Sequence, residues 1–183
     1  DKDGKMVQPT TIARAAGYTF EIVDQFLGQL GNPVGVKSYK PFHSLGEEFL
    51  QNYMGMIGVP MDIVPVFPEN EPIVFLTEQA KFDPNIVAKI KKQLQAGKDI
   101  MVTSGFLKAM QDNGLSNIVE LRVTDAKASV KEFVVGIGQH SFSVNEMIIP
   151  QIEYLTNDSW EIVSALDATN GWPIIHRCGY SKG

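Results

Sequence analysis

Between residues 34 and 114, short apolar runs alternate with stretches of helical spacing, and this alternation constrains the fold more than any other feature of the chain. VGVKSY (34–39), MDIVPVF (61–67), IVFL (73–76) and DIMV (99–102) read as strands. Between them, Phe49, Leu50, Tyr53, Met54 and Ile57 fall on one face of a helix that ends at Gly58. A second helix opens at Asp83-Pro84, with Ile86, Val87, Ile90 and Leu94 turned inward and Lys89, Lys91 and Lys92 toward water, and Gly97 ends it. Strands separated by helices of this length pair in parallel through right-handed crossovers. IVFL and DIMV are apolar on both faces, as buried parallel strands are, whereas Pro65 suits an edge strand. The expectation is an α/β fold: a three-layer, flavodoxin-like parallel sheet with helices on both faces, its strands ending near Tyr39, Thr77 and Thr103.

After about Gly114 the character changes. IVELRVTD (118–125), KEFVVGIG (131–138) and EMIIPQI (146–152) read as strands, followed by an antiparallel hairpin turning at Asn170-Gly171. C-terminal antiparallel strands therefore follow the parallel core. At the other end, Ile12, Ala16, Phe20, Val23, Leu27 and Leu30 recur at helical spacing, with Gly17 as a candidate break. Residues 1–32 thus form an N-terminal helical segment, and residues 33–183 the α/β domain.

Composition narrows the function classes. At 183 residues and 44% hydrophobic the chain can bury one sizeable core. A net charge of −5 with dispersed lysines argues against nucleic acid as a partner. No apolar run approaches the roughly 18 residues of a membrane span. The single cysteine, Cys178, excludes an internal disulfide. His140, His176 and Cys178 lack companions at metal spacing, and DKDGK at the start has its glycine too early for a calcium loop. No metal or cofactor is expected. Asn157-Asp158-Ser159 fits a glycosylation pattern that matters only in a eukaryotic secretory pathway.

Ligands of open α/β sheets bind beyond the carboxyl ends of the strands. Three such ends are SYKPFHS, Thr77-Glu78-Gln79 and Thr103-Ser104-Gly105. Ser104, His43 and Glu78 are residue types sufficient for a nucleophile, base and orienter acting on an ester or amide. The Gly-x-Ser-x-Gly turn of serine hydrolases is missing, however, and a helix N-cap is the commoner use of such a serine. Glu47 and Glu48 read as first-turn carboxylates, while Glu78, at the end of an apolar strand, needs a partner. The same rim offers a small-molecule pocket from Tyr39, Lys40, Phe42, Ser44 and Gly105, with Trp172 as a further apolar face.

The runs VGVKSYKPFHS, IVFLTEQA and AGKDIMVTSGFL, with the ending PIIHRCGYSKG, resemble the class I glutamine amidotransferase-like superfamily, in the branch found beside glycoside hydrolases and in secreted bacterial proteins. The resemblance covers roughly residues 33–183. It implies a domain of a larger parent protein, serving assembly or ligand binding with carbohydrate among the candidates, in the periplasm or outside the cell. It also implies a homo-oligomer or contacts with other domains of the parent. Working members carry cysteine where Ser104 stands, and no later His-x-Glu pair follows, so glutaminase activity is not expected. In the resembling domains the final turn leads into another strand. Residues 172–178 are therefore expected at a sheet edge or paired with a strand from elsewhere.

Overall fold

The computed structural model describes residues 10–154, 159–168 and 170–183. The chain divides into two units, Asp1–Pro33 and Val34–Gly183. In the first, helix α1 (Thr10–Leu27) runs uninterrupted through Gly17, and none of its side chains is buried. Of the two arrangements the spacing allows, one helix or two, the single helix forms: a lone glycine costs a helix only about 1 kcal/mol.

In the second unit, strands β1 (Val36–Tyr39), β2 (Met61–Val64), β3 (Ile73–Leu76) and β4 (Asp99–Val102) form a parallel sheet of order β2-β1-β3-β4. This is the α/β architecture read from the alternation, with the strand order of flavodoxin-like sheets. Helices α2 (Leu50–Met56), α3 (Ile86–Gln95) and α4 (Ser104–Met110) connect or follow the strands. Register assigns the faces: Ile63, Ser38, Phe75 and Met101 align on one, and Val64, Tyr39, Leu76 and Val102 on the other. The second face holds the main core, where Tyr39, Val74 and Leu76 pack with Ile86, Ile90 and Leu94 of α3 and Phe106, Leu107 and Met110 of α4. Helix α2 lies against the first face, as its Gln51 contact with Ser38 shows. DIMV, expected as a buried strand, is instead the edge strand β4, with Asp99 and Met101 exposed.

Lys89, expected in water, is half-buried over the Tyr39 and Phe67 rings, its Nζ 5.5 Å and 5.7 Å from their centroids. It is drawn there by Asp83, which accepts from Lys89 Nζ at 2.6 Å, the Asn85 N–H at 2.9 Å and the Tyr39 hydroxyl at 2.9 Å. Burial alone would raise the Asp83 pKa; these donors outweigh it and hold the carboxyl below its usual range. Burial and the Asp83 bond push the Tyr39 phenol up. A depressed folded-state pKa means that Asp83 stabilises the fold above about pH 4, the carboxylate value of an unfolded chain, and that this stability is lost as pH falls through the lower folded value. Urea titrations from pH 7 downward are expected to show stability falling less steeply below about pH 4 in Asp83→Asn than in the native chain. Equal slopes would contradict the assignment.

The C-terminal strands form a second, antiparallel sheet of order β6-β5-β7-β8, from β5 (Leu121–Val135), β6 (Gln139–Tyr154), β7 (Ser159–Leu166) and β8 (Gly171–Cys178). Two expected strands, IVELRVTD and KEFVVGIG, merge into β5, whose pairing with β6 shifts register after Val123 and after Val130. The shifts bend the hairpin without ending it. Between β7 and β8 the Asp167 N–H donates to the Asn170 carbonyl at 3.1 Å, and Gly171 is already in the strand opposite Leu166. Strand β8 is the outer strand of its sheet, which places residues 172–178 at the edge expected for them. Asn157 and Asp158 of the glycosylation pattern lie outside the described residues.

Both ends of the second sheet return to the first. Gln111, just past α4, donates to the Val123 carbonyl at 3.3 Å and accepts the Val123 N–H at 2.9 Å, and Val123 joins the main core. Beyond β8, Tyr180 packs on that same core, and Gly183 sits so close to Leu94 and Lys98 that a Cβ there would lie 2.5 Å from the Lys98 carbonyl oxygen.

Candidate functional site

The carboxyl ends of β1 and β3 flank the point where the strand order reverses, the usual location of ligands in such sheets. Here that edge is occupied by the chain itself. Residues 41–49, between β1 and α2, hold His43, Glu47 and Phe49 at positive φ (59°, 44° and 68°), with Gly46 at 116°. Left-handed backbone costs a non-glycine residue roughly 1–2 kcal/mol, so three such residues in one loop need compensation. Glu47 supplies it. Its Oε2 accepts the Glu78 backbone N–H at 2.7 Å and the Thr103 hydroxyl at 2.5 Å, joining the loop to the ends of β3 and β4. The carboxyl lies against Gly105, where a Cβ would come within 2.5 Å of it. In return the Glu78 carboxyl sits against Gly46, 2.8 Å from where a Cβ would be. Glu47 is therefore a clasp and not the first-turn residue expected, since α2 begins three residues later.

A buried polar network lies beneath the clasp. Gln51 Nε2 donates to Ser38 Oγ at 3.2 Å and to Gln79 Oε1 at 3.1 Å, and the Thr77 hydroxyl donates to Gln79 Oε1 at 3.2 Å. Gln79 reaches on to Glu48, whose carboxylate pairs with Lys40 at 3.6 Å. Each of Ser38, Gln51, Thr77 and Gln79 is buried, and each has a partner, as buried polar groups require.

Around this network the residues singled out from sequence disperse. Ser104 is the first residue of α4; the cap is Thr103, whose Oγ1 accepts the Phe106 N–H at 3.1 Å, so the capping role assigned to Ser104 belongs to its neighbour. Among the described residues no hydrogen bond joins Ser104 to His43, which stands exposed in the loop, or to Glu78, which pairs with Lys81 at 2.5 Å. Of the pocket residues, Tyr39 turns into the main core toward Asp83, Phe42 is exposed, Lys40 faces Glu48, and Ser44 is buried with its hydroxyl on the Pro41 carbonyl. Gly105 receives the Glu47 carboxylate. The residues sequence reasoning missed are Glu47, Thr103, Gln51 and Gln79. Only the adjacency of Gly46-Glu47 and Ser104-Gly105, two places where chain can approach closely, hinted at them.

A second concavity lies on the antiparallel sheet. It is a cleft of about 710 Å³ with Tyr154, Glu153, Glu161, Ser164, Asn170 and Trp172 along its walls. The Trp172 indole donates to Asp167 at 3.0 Å, and Tyr154 meets His176 edge to face at 5.7 Å. Burial lowers the His176 pKa against the pull of Glu161, and neither ring nitrogen has a hydrogen-bond partner among the described residues. Among those residues no three potential metal ligands cluster, and no helix is long and apolar enough to cross a membrane.

Fold and site together define a doubly wound α/β domain whose carboxyl edge is closed by its own loop and whose chain continues into an antiparallel sheet. The chain belongs to the family described as the second domain of the uncharacterized protein SSO3021, whose model matches residues 31–183. No curated protein and no solved structure matches it.

Proposed function

We propose that residues 34–183 are a non-catalytic module of the glutamine amidotransferase-like type, serving assembly or ligand binding within a larger protein. The observation that carries this reading is the position of the Glu47 carboxylate. A nucleophile at Ser104 needs a base within hydrogen-bond reach and open space beside it for the substrate carbonyl. Instead of a histidine, a carboxylate tied to Thr103 and Glu78 stands against Gly105, and its negative charge opposes the oxyanion that acyl transfer develops. The family's description as a second domain supports a module among others. For the ligand-binding role the cleft on the antiparallel sheet is the better-suited place: Tyr154 and Trp172 offer apolar faces, while Glu153, Glu161 and Asn170 suit the hydroxyls of a saccharide. A periplasmic or extracellular setting rests on the sequence resemblance alone.

The test is turnover by the native chain and by Ser104→Ala. Ammonia release from glutamine, and hydrolysis of a panel of p-nitrophenyl esters and anilides, are expected to match a buffer blank in both. Turnover that the native chain shows and Ser104→Ala loses would replace this reading with that of an ester or amide hydrolase.

A further inference from the structure

Helix α2 is turned inside out. Phe49, Tyr53, Met56 and Ile57 recur at three- and four-residue spacing, the pattern with which a helix covers a sheet, yet they are 66%, 61%, 80% and 75% exposed. The side turned to the sheet carries Gln51, only 5% exposed, bonded to Ser38 and Gln79. The rotation is fixed by those bonds. Turning the apolar stripe inward would strand two buried polar side chains, Ser38 and Gln79, without this partner, at a cost of about 1–3 kcal/mol each. The apolar stripe therefore faces outward by construction.

Phe42 and Leu45 in the preceding loop are exposed to a similar degree. At about 200 Å² for a large apolar side chain, the six together leave about 800 Å² bare on α2 and the loop leading into it, close to one partner's share of a standard interface. Residues 49–60 contain no charged side chain. The exposed carboxylate at the border of this stretch, Glu48, is already paired with Lys40, so the helix offers a charged partner no free charge and meets its own copy without net repulsion. We propose that this face is buried against the same face of a second copy of the chain, giving a twofold dimer. The inference rests on the assembly half of the proposed function and specifies the surface that performs it.

Sedimentation equilibrium over about 1–100 μM tests it. The native chain is expected to be dimeric, and a Met56→Glu/Ile57→Glu double variant monomeric, with dimerisation weakened about 100-fold or more by the buried charges. Both positions are exposed, and circular dichroism should show the fold retained. Ile137→Glu, at an exposed turn of the antiparallel sheet, is expected to leave the dimer intact. A monomeric native chain, a trimer, a dimer that survives the double substitution, or one equally lost with Ile137→Glu would each overturn the proposal. Failure here with no Ser104-dependent turnover leaves the non-catalytic reading in place; Ser104-dependent turnover removes that reading whatever the oligomeric state.

Discussion

Phe106→Ala is expected to destabilise the 34–183 unit by about 3–5 kcal/mol, read as a lower midpoint in urea with little change in slope. Phe106 is fully buried in the core that also holds Tyr39, Leu76 and the inward residues of α3. Helix α4 has only seven residues, too few to persist in water without tertiary packing. Truncating its one aromatic anchor therefore removes both the buried ring and the reason the helix forms. Against a total stability of about 5–15 kcal/mol, such a loss brings the unit near unfolding. Leu45→Ala, at an exposed site, should shift the midpoint little. A cost below about 1 kcal/mol for Phe106→Ala would mean that the core is not packed as described.

Glu47→Ala is expected to release the 41–49 loop and to cost about 2 kcal/mol. Two charge-assisted hydrogen bonds, each worth roughly 1.5–3 kcal/mol, are lost, partly offset by relief of left-handed backbone and by water reaching the freed Glu78 N–H. The more direct readout is protease cleavage. With Glu47 absent, cuts within 43–49 should appear well before cuts elsewhere in the 34–183 unit. Gly105→Ala should produce the same pattern with Glu47 present, because its methyl group takes the place of the carboxyl. Unchanged cleavage in both variants would show that the loop is held by something other than the clasp.

Much of the fold was legible because apolar periodicity reports which residues must leave water. Four strands, their parallel pairing and the later change to antiparallel pairing all follow from it. Where reading by periodicity failed, a polar interaction or the order of the strands decided the outcome. The stripe Phe49-Tyr53-Ile57 marks α2 correctly as a helix but says nothing about which side meets the sheet; Gln51 decides that, through partners 13 and 28 residues away. DIMV has the composition of a central strand, and its edge position is a matter of strand order, which composition does not carry. The site was less legible still. Ser104 and Thr103 are equally good caps by residue type, and only backbone direction selects Thr103. Glu47 acts at Thr103, 56 residues on, through a backbone that local preference disfavours.

The double return of the second sheet to the first bears on how the unit comes apart. Strand β5 starts from a two-bond grip between Gln111 and Val123, and the chain beyond β8 comes back to set Tyr180 on the same core. Peeling the antiparallel sheet away would have to undo its first and last attachments together, and melting the parallel sheet would remove the seat of both. Among the described residues the two sheets share no ladder of backbone bonds, yet neither has an independent route to unfolding. Heat or denaturant should find in residues 34–183 a single cooperative transition and not two successive ones.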